Sequence, residues 1–241
     1  MFIVTDLEAT CWEGRPHHDE MEIIEIGAVK LDLSRARLTD AFSSLVRPRL
    51  HPALSEFCTR LTGITQSDML GQHDFATVYP AFQAWCGSPH KHILAAWGDY
   101  DRNQLQKDLA RYGLEWGLPL SYMNISQLYR ERFGGPKRSL KKACDEQGLA
   151  FRGQPHRGLD DARMAALVLG RIFGLEIEDD TEKPYTYSLV YLNDRIVPYR
   201  SAWPIEPGMH LSVDQQWYTV LAPAPYAPAQ QPAFWVEEWR H

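Results

Sequence analysis

The chain has 241 residues, 44% hydrophobic and 23% charged, enough to bury a real core as one large domain or as one domain with a small appendage. Its formal charge of −6 excludes a protein that coats nucleic acid through bulk electrostatics. It leaves room for one that grips a few nucleotides locally, where bound cations supply the positive charge.

The first element is a strand at the amino terminus, where Met1-Phe2-Ile3-Val4 runs into Thr5-Asp6-Leu7-Glu8-Ala9-Thr10-Cys11-Trp12. Residues i and i+2 of a strand share a face, so Asp6 and Glu8 project together. Two carboxylates side by side on a half-buried strand repel each other and lose hydration, a cost that a divalent cation between them offsets. Residues 22 to 32 are apolar and β-branched on both faces, which predicts a central strand. A third strand is expected at Phe42 to Val46, joined through the polar stretch Ser34 to Thr39, so that the three make an antiparallel meander.

Leu54 to Thr65 predicts a compact helical segment stopped by Gly63. Val78, Ala81, Phe82 and Trp85 recur at helical spacing, His92 to Trp97 reads as a buried strand, and Asp101 to Tyr112 as the helix after it. A short strand is expected near Tyr122 to Ile125. Ser139 caps a helix over 140–147, and a last helix runs from about Leu159 to Phe173 on a stripe of Ala162, Ala165, Ala166, Leu169, Ile172 and Phe173.

Beyond Glu176 comes a charged linker, then a segment carrying eight of the 16 prolines and four of the eight tryptophans. Strands are expected at Thr186 to Leu192, Gln216 to Leu221 and Phe234 to Trp239, with the aromatics filling a small core. Residues 1–176 and 177–241 are thus read as two units: a mixed α/β sheet flanked by helices, and a linker with a small β-rich domain. Cys11, Cys58, Cys86 and Cys144 lie far apart without a C-x-x-C pair, and no run reaches the roughly 18 apolar residues of a membrane span. A reduced, intracellular, cytoplasmic protein with no membrane partner is expected.

Three further residues join the opening pair. Asp101 starts a helix in Trp97-Gly-Asp-Tyr-Asp101, and His156 and Asp161 stand five apart in His156-Arg-Gly-Leu-Asp-Asp161. A helix start favours a charged carboxylate, the form a metal needs, and a loop histidine is suited to take a proton from water near neutrality. Asp99 against Asp101, and Asp160 against Asp161, stay open on spacing alone.

Asp6-x-Glu8, aromatic-Asp101 and His156-x-x-x-x-Asp161 together resemble the three motifs of the DEDDh 3′-to-5′ exonucleases, whose fold is RNase H-like. The Eri-type subfamily, which trims the 3′ ends of structured and small RNAs, is similar further. There Asp-Leu-Glu-Ala-Thr-Cys (6 to 11), Glu-Ile-Ile-Glu (22 to 25), Leu-Ser-Glu-Phe-Cys (54 to 58), Leu-Thr-Gly-Ile-Thr (61 to 65) and His-x-Gly-Leu-Asp-Asp (156 to 161) have look-alikes. The resemblance covers about residues 1 to 175 and selects Asp101 and Asp161 from their neighbours. It departs where the second motif often opens with Asn or Asp, this chain having Ala95-Ala96-Trp97.

The resemblance implies an enzyme, a two-metal-ion 3′-to-5′ exoribonuclease, with two Mg²⁺ or Mn²⁺ ions on Asp6, Glu8, Asp101 and Asp161. Asp6 would bridge them, and His156 would deprotonate the attacking water. Ala9, Thr10, Phe57, Leu61, Thr62 and Tyr100 would hold the terminal nucleotide of a single-stranded RNA or DNA 3′ end. A DNA-directed exonuclease of proofreading or repair type is the alternative, then a non-catalytic RNA-end adaptor. Only such an adaptor would recruit a protein partner through the β-rich tail, which lies outside the resemblance.

Overall fold

The opening run forms β1 (Phe2–Ala9), whose alternation puts Ile3, Thr5 and Leu7 on one face and Val4, Asp6 and Glu8 on the other. β2 (Ile23–Asp32) pairs antiparallel with β1, setting Gly27 opposite Asp6 and Glu25 opposite Glu8, with a bulge at Glu8/Ala9. β3 (Arg37–Leu45) completes the meander. It begins at Arg37 rather than Phe42, because Leu38 and Ala41 face the core while Thr39 and Asp40 stay half-exposed. A half-solvated strand looks like a loop in the sequence. The computed structural model describes residues 1–14, 19–179 and 181, and the backbone of five further strands between 186 and 238.

α1 (Glu56–Thr62) is capped by Ser55, whose hydroxyl accepts from the Cys58 amide, and closes on Gly63 at φ 72°. α2 (Phe75–Cys86) follows, capped by Asp74. β4 (Ile93–Ala96) lies parallel to β1 and leads into α3 (Tyr100–Tyr112). β5 (Ser121–Asn124) lies parallel to β4. At once comes α4 (Ile125–Phe133), a helix the sequence reading lacks. Its buried stripe is only Ile125, Ser126 and Tyr129 with half-buried Leu128, and the charged Arg130, Glu131 and Arg132 hide it. α5 (Leu140–Glu146) starts on Ser139 as expected, and α6 (Gly158–Ile172) is the long last helix.

β6 (Glu178–Asp179) returns to the sheet beside β3, giving the order β5-β4-β1-β2-β3-β6. α6 covers the face carrying Val4, Val29 and Leu31, with α4 and α5 beside it. α2 and α3 cover the opposite face through Phe75, Phe82, Trp85 and Leu105 against Ile3, Ile26 and Phe42. Both faces are dry, which is why β2 reads as apolar throughout. Asp6 and Glu8 lie on the α6 face.

β7 (Thr186–Leu192), β8 (Arg195–Ser201), β9 (His210–Val213), β10 (Gln216–Pro223) and β11 (Ala233–Glu238) form a second sheet, ordered β8-β7-β11-β10-β9. The core role expected of the tail's aromatic side chains lies outside the described residues. The charged linker is less separate than its composition suggests: β6 belongs to the first sheet, and Arg163 Nε donates to Thr181 Oγ1 at 3.1 Å. Among the described residues no helix is long and apolar enough to cross a membrane.

Candidate active site

Asp6 and Glu8 sit in the carboxyl-terminal half of β1, where the adjacent parallel strand β4 has ended and its polypeptide has turned into α3. That turn delivers Asp101 to them. Asp101 is 5% exposed, and its carboxylate accepts the Leu7 amide at 3.0 Å, the peptide N–H that lies between the two β1 acids. Asp99 points elsewhere, exposed and bonded to Asn124 Nδ2 at 2.9 Å.

α6 brings the other half. One oxygen of Glu8, a ring nitrogen of His156 and one oxygen of Asp161 all lie within 4.8 Å of one another. His156 takes a left-handed backbone, φ 64°, unusual for a residue with a Cβ, and its amide donates to Asp161 Oδ2 at 3.0 Å. The loop and the first turn of α6 are thus tied by the two residues that meet Glu8. Asp160 is spent on the Gln154 amide at 2.9 Å.

A backbone-to-backbone contact sets the distance between the halves. A Cβ on Gly27 would lie 2.0 Å from the Gly158 carbonyl carbon, and one on Gly158 would lie 2.9 Å from the Asp6 carbonyl oxygen. Only paired glycines let the start of α6 approach β1 and β2 this closely. Glu25, 1% exposed, completes the joint: its carboxylate accepts from Gly158 N at 2.9 Å and from Arg157 Nε and Nη2 at 3.1 and 3.0 Å.

The electrostatics are those of an unbalanced cluster. Burial, then the neighbouring Asp101, Glu8, Asp161 and Glu25, hold the Asp6 carboxyl well above the usual carboxylate range. Burial followed by Glu25, Asp161 and Asp101 pushes Glu8 up to about 9. Asp101 rises to about 7 because burial outweighs its amide hydrogen bonds, and Asp161 to about 6 for the same reason. Desolvation at Asp161 thus works against the preference of a helix start for a charged carboxylate. Four desolvated carboxylates form a hard oxygen donor set, and the residues present fit divalent cations of the Mg²⁺ class.

The residues expected around a terminal nucleotide divide into two groups. Tyr100 is 43% exposed beside Asp101, and Phe57 and Leu61 on α1 are half-buried. Ala9, Thr10 and Thr62 are buried, and their polar groups are taken up internally. Thr10 Oγ1 accepts from Glu22 N at 3.0 Å, and Thr62 Oγ1 donates to Cys58 O and accepts from Ile64 N. The Cys58 thiol donates to the Ala9 carbonyl at 3.7 Å.

Glu25, Arg157 and the two glycines were given no role from the sequence. The signal was a glutamate inside a strand apolar on both faces, where a charge must have a partner. Glu22 shows the same logic, its carboxylate accepting the amides of Arg49, Leu50 and His51.

The exonuclease family model of RNase T matches residues 3–169. Human ERI1 exoribonuclease 2 is 30% identical over 188 residues, covering 69% of this chain and 27% of that protein. Rat 3′-5′ exoribonuclease 1 is 31% identical over 179 residues, covering 70% of this chain and 52% of that one. The chain thus spans about a quarter to a half of the length of these relatives. The nuclease domain of 3′hExo, a DEDDh family member solved bound to rAMP, superposes with a TM-score of 0.67 at 30% identity over 73% of this chain and 94% of that one. A 3′-exonuclease solved in recognition of a histone mRNA stem-loop gives 0.67 at 27% identity over 85% and 92%.

Proposed function

From the premise that this chain belongs to the exonuclease family of RNase T, a divalent-metal-dependent family, we propose that it is a 3′-to-5′ exoribonuclease that hydrolyses phosphodiesters from RNA 3′ ends. The observation that carries this reading is the convergence of Glu8, His156 and Asp161 within 4.8 Å, on the face that holds Asp6 and beside the amide that holds Asp101. RNA rather than DNA is favoured by the relatives, named as exoribonucleases, and by the neighbours solved with rAMP and with a histone mRNA stem-loop.

Asp6, Glu8, Asp101 and Asp161 would hold two divalent cations, Mg²⁺ or Mn²⁺. Bound there, such ions offset the carboxylate charge and stabilise the negative charge that builds on phosphate oxygens during attack by water. His156 takes the proton from that water at its ring nitrogen. Its unusual backbone and its amide bond to Asp161 hold this exposed residue with its ring beside Glu8 and Asp161. Glu25 and Arg157 brace the start of α6, and Leu7 N orients Asp101.

Tyr100, Phe57 and Leu61 would flank the terminal base and sugar, while Ala9, Thr10 and Thr62 would act by shaping the floor beneath them. Residues 1–176 would carry the catalytic unit, and 177–241 a linker and a small β-rich unit. Four free thiols suit a reducing, cytoplasmic setting.

The test is hydrolysis of 5′-labelled single-stranded RNA and matched DNA with Mg²⁺ or Mn²⁺. Shortening from the 3′ end is expected, faster on RNA, blocked by a 3′-phosphate and lost in Asp6→Ala and His156→Ala. Intact 5′-labelled strands after prolonged incubation with Mn²⁺ would overturn the reading.

A further inference from the structure

We propose that the cationic surface formed by the end of α4, the following loop and the start of α5 is a second nucleic-acid contact. It takes the phosphodiester backbone of the substrate strand on the 5′ side of the end being cut. The inference rests on the exonuclease reading above and adds the path of the strand.

Charge is the first observation. Arg130, Arg132, Lys137, Arg138, Lys141 and Lys142 place six cations, against the single acid Glu131, within thirteen residues of a chain whose net charge is −6. Arg138 is paired with Glu146 at 2.7 Å and Lys141 with Asp145 at 3.5 Å. Among the described residues, Arg130, Lys137 and Lys142 form no ion pair, and all three are exposed. Ordinary surfaces intersperse both signs, so a patch of one sign on an acidic protein points to an anionic partner.

Shape is the second. A cleft of about 210 Å³ is lined by Asp99, Asn124, Ser126, Gln127, Arg130 and Lys137. It is smaller than the roughly 300–1,000 Å³ of pockets that enclose a whole small molecule. Hydroxyl, amide, guanidinium and ammonium groups are the mix that contacts phosphate oxygens. The one carboxylate in the lining, Asp99, is already engaged by Asn124 Nδ2 at 2.9 Å and by Arg102 at 3.7 Å.

Position is the third. Asn124 ends β5, which lies two strands from β1 in the same parallel direction, so at about 4.8 Å per strand the cleft opens roughly 10 Å from the β1 acids. Asp99 is two residues before Asp101, in the turn that also presents exposed Tyr100. The basic loop is fixed to that turn, because Trp97 Nε1 donates to the Arg138 carbonyl at 3.2 Å. A strand with its last nucleotide over Asp6 and Glu8 and its next ones along the edge of β4 and β5 meets Arg130 and Lys137.

The test measures binding and turnover separately. Fluorescence anisotropy of a 12-nucleotide and a 3-nucleotide RNA, without divalent ions and from 50 to 400 mM salt, reads the surface even if no hydrolysis occurs. Hydrolysis with Mn²⁺ reads the activity, so the two proposals fail independently. Each phosphate contact to a single strand contributes a log–log salt slope of about −0.7, or about fivefold in affinity at 0.1 M salt. The double variant Arg130→Gln with Lys137→Gln is therefore expected to bind the 12-mer about 25-fold more weakly, with a slope about 1.4 shallower. Its affinity for the 3-mer is expected to move less than twofold, and its thermal unfolding to match wild type. An unchanged 12-mer affinity and slope, or an equal loss on both lengths, overturns the proposal. So does a result in which the variant loses binding to poly-glutamate but keeps its RNA affinity, which would assign the surface to an acidic protein.

Discussion

Replacing Glu8 by Gln should stabilise the metal-free protein while disabling it. Glu8 is 8% exposed and faces Glu25 across the β1–β2 pair, and its carboxyl titrates at about 9 instead of 4.5. A carboxyl raised in this way contributes stability that is fully present below pH 4.5 and is lost as pH rises through about 9. At pH 7 the folded protein holds the proton that the unfolded chain has released. At 1.36 kcal/mol per unit over the interval from 4.5 to 7, that costs about 3 kcal/mol. Gln keeps the shape and never carries the charge.

The variant should therefore be more stable than wild type in EDTA at pH 7 by about 1–3 kcal/mol, which for a chain of this size raises Tm by about 2–4 °C per kcal/mol. The advantage should be near zero at pH 4.5 and widen with pH at up to about 1.4 kcal/mol per unit. Millimolar Mn²⁺ should reverse the order by raising the wild-type Tm more. Scanning calorimetry of both proteins between pH 5 and 8, with EDTA and with Mn²⁺, checks this. A variant that melts below wild type in EDTA, or an advantage that does not grow with pH, refutes the argument from crowded carboxylates.

Asp101→Asn should lower the hydrolysis rate by about 10²-fold or more, since that carboxylate faces the β1 acids, whereas exposed Asp99→Asn should stay within about threefold; single-turnover rates on one RNA separate them. Gly27→Ala, whose Cβ would lie 2.0 Å from a backbone carbon, should cost about 3 kcal/mol or more and shift the urea midpoint accordingly. Glu25→Ala should cost about 3–5 kcal/mol by leaving the half-buried Arg157 without its carboxylate, and Glu25→Gln less, because its carbonyl still accepts from Gly158; urea unfolding ranks the three proteins.

The sequence exposed what depends on period and composition. Asp6 and Glu8 share a face because strands repeat every two residues, and α6 was legible from its broad alanine and leucine stripe. α4 escaped because a helix of nine residues with a narrow buried stripe and a charged end leaves almost no periodic signal. The strand start at Arg37 escaped because a half-solvated strand has the composition of a loop. Glu25 and the glycine pair are long-range facts: Glu25 meets Gly158 across 133 positions, and nothing local announces it. The Thr10 hydroxyl is taken by the Glu22 amide twelve positions on, whereas the Thr62 hydroxyl is held locally by Cys58 and Ile64.

The Gly27–Gly158 contact also separates two properties that usually drift together. The spacing of His156 and Asp161 from the β1 acids is set where main chain meets main chain, with no rotamer in between. Exchanges in the surrounding core, such as Val29 or Met164, are free to alter melting behaviour without retuning cation affinity. Improving the thermal robustness of this fold is then a matter of the layers above and below the joint, and laboratory evolution for stability should accumulate changes there while both glycines persist.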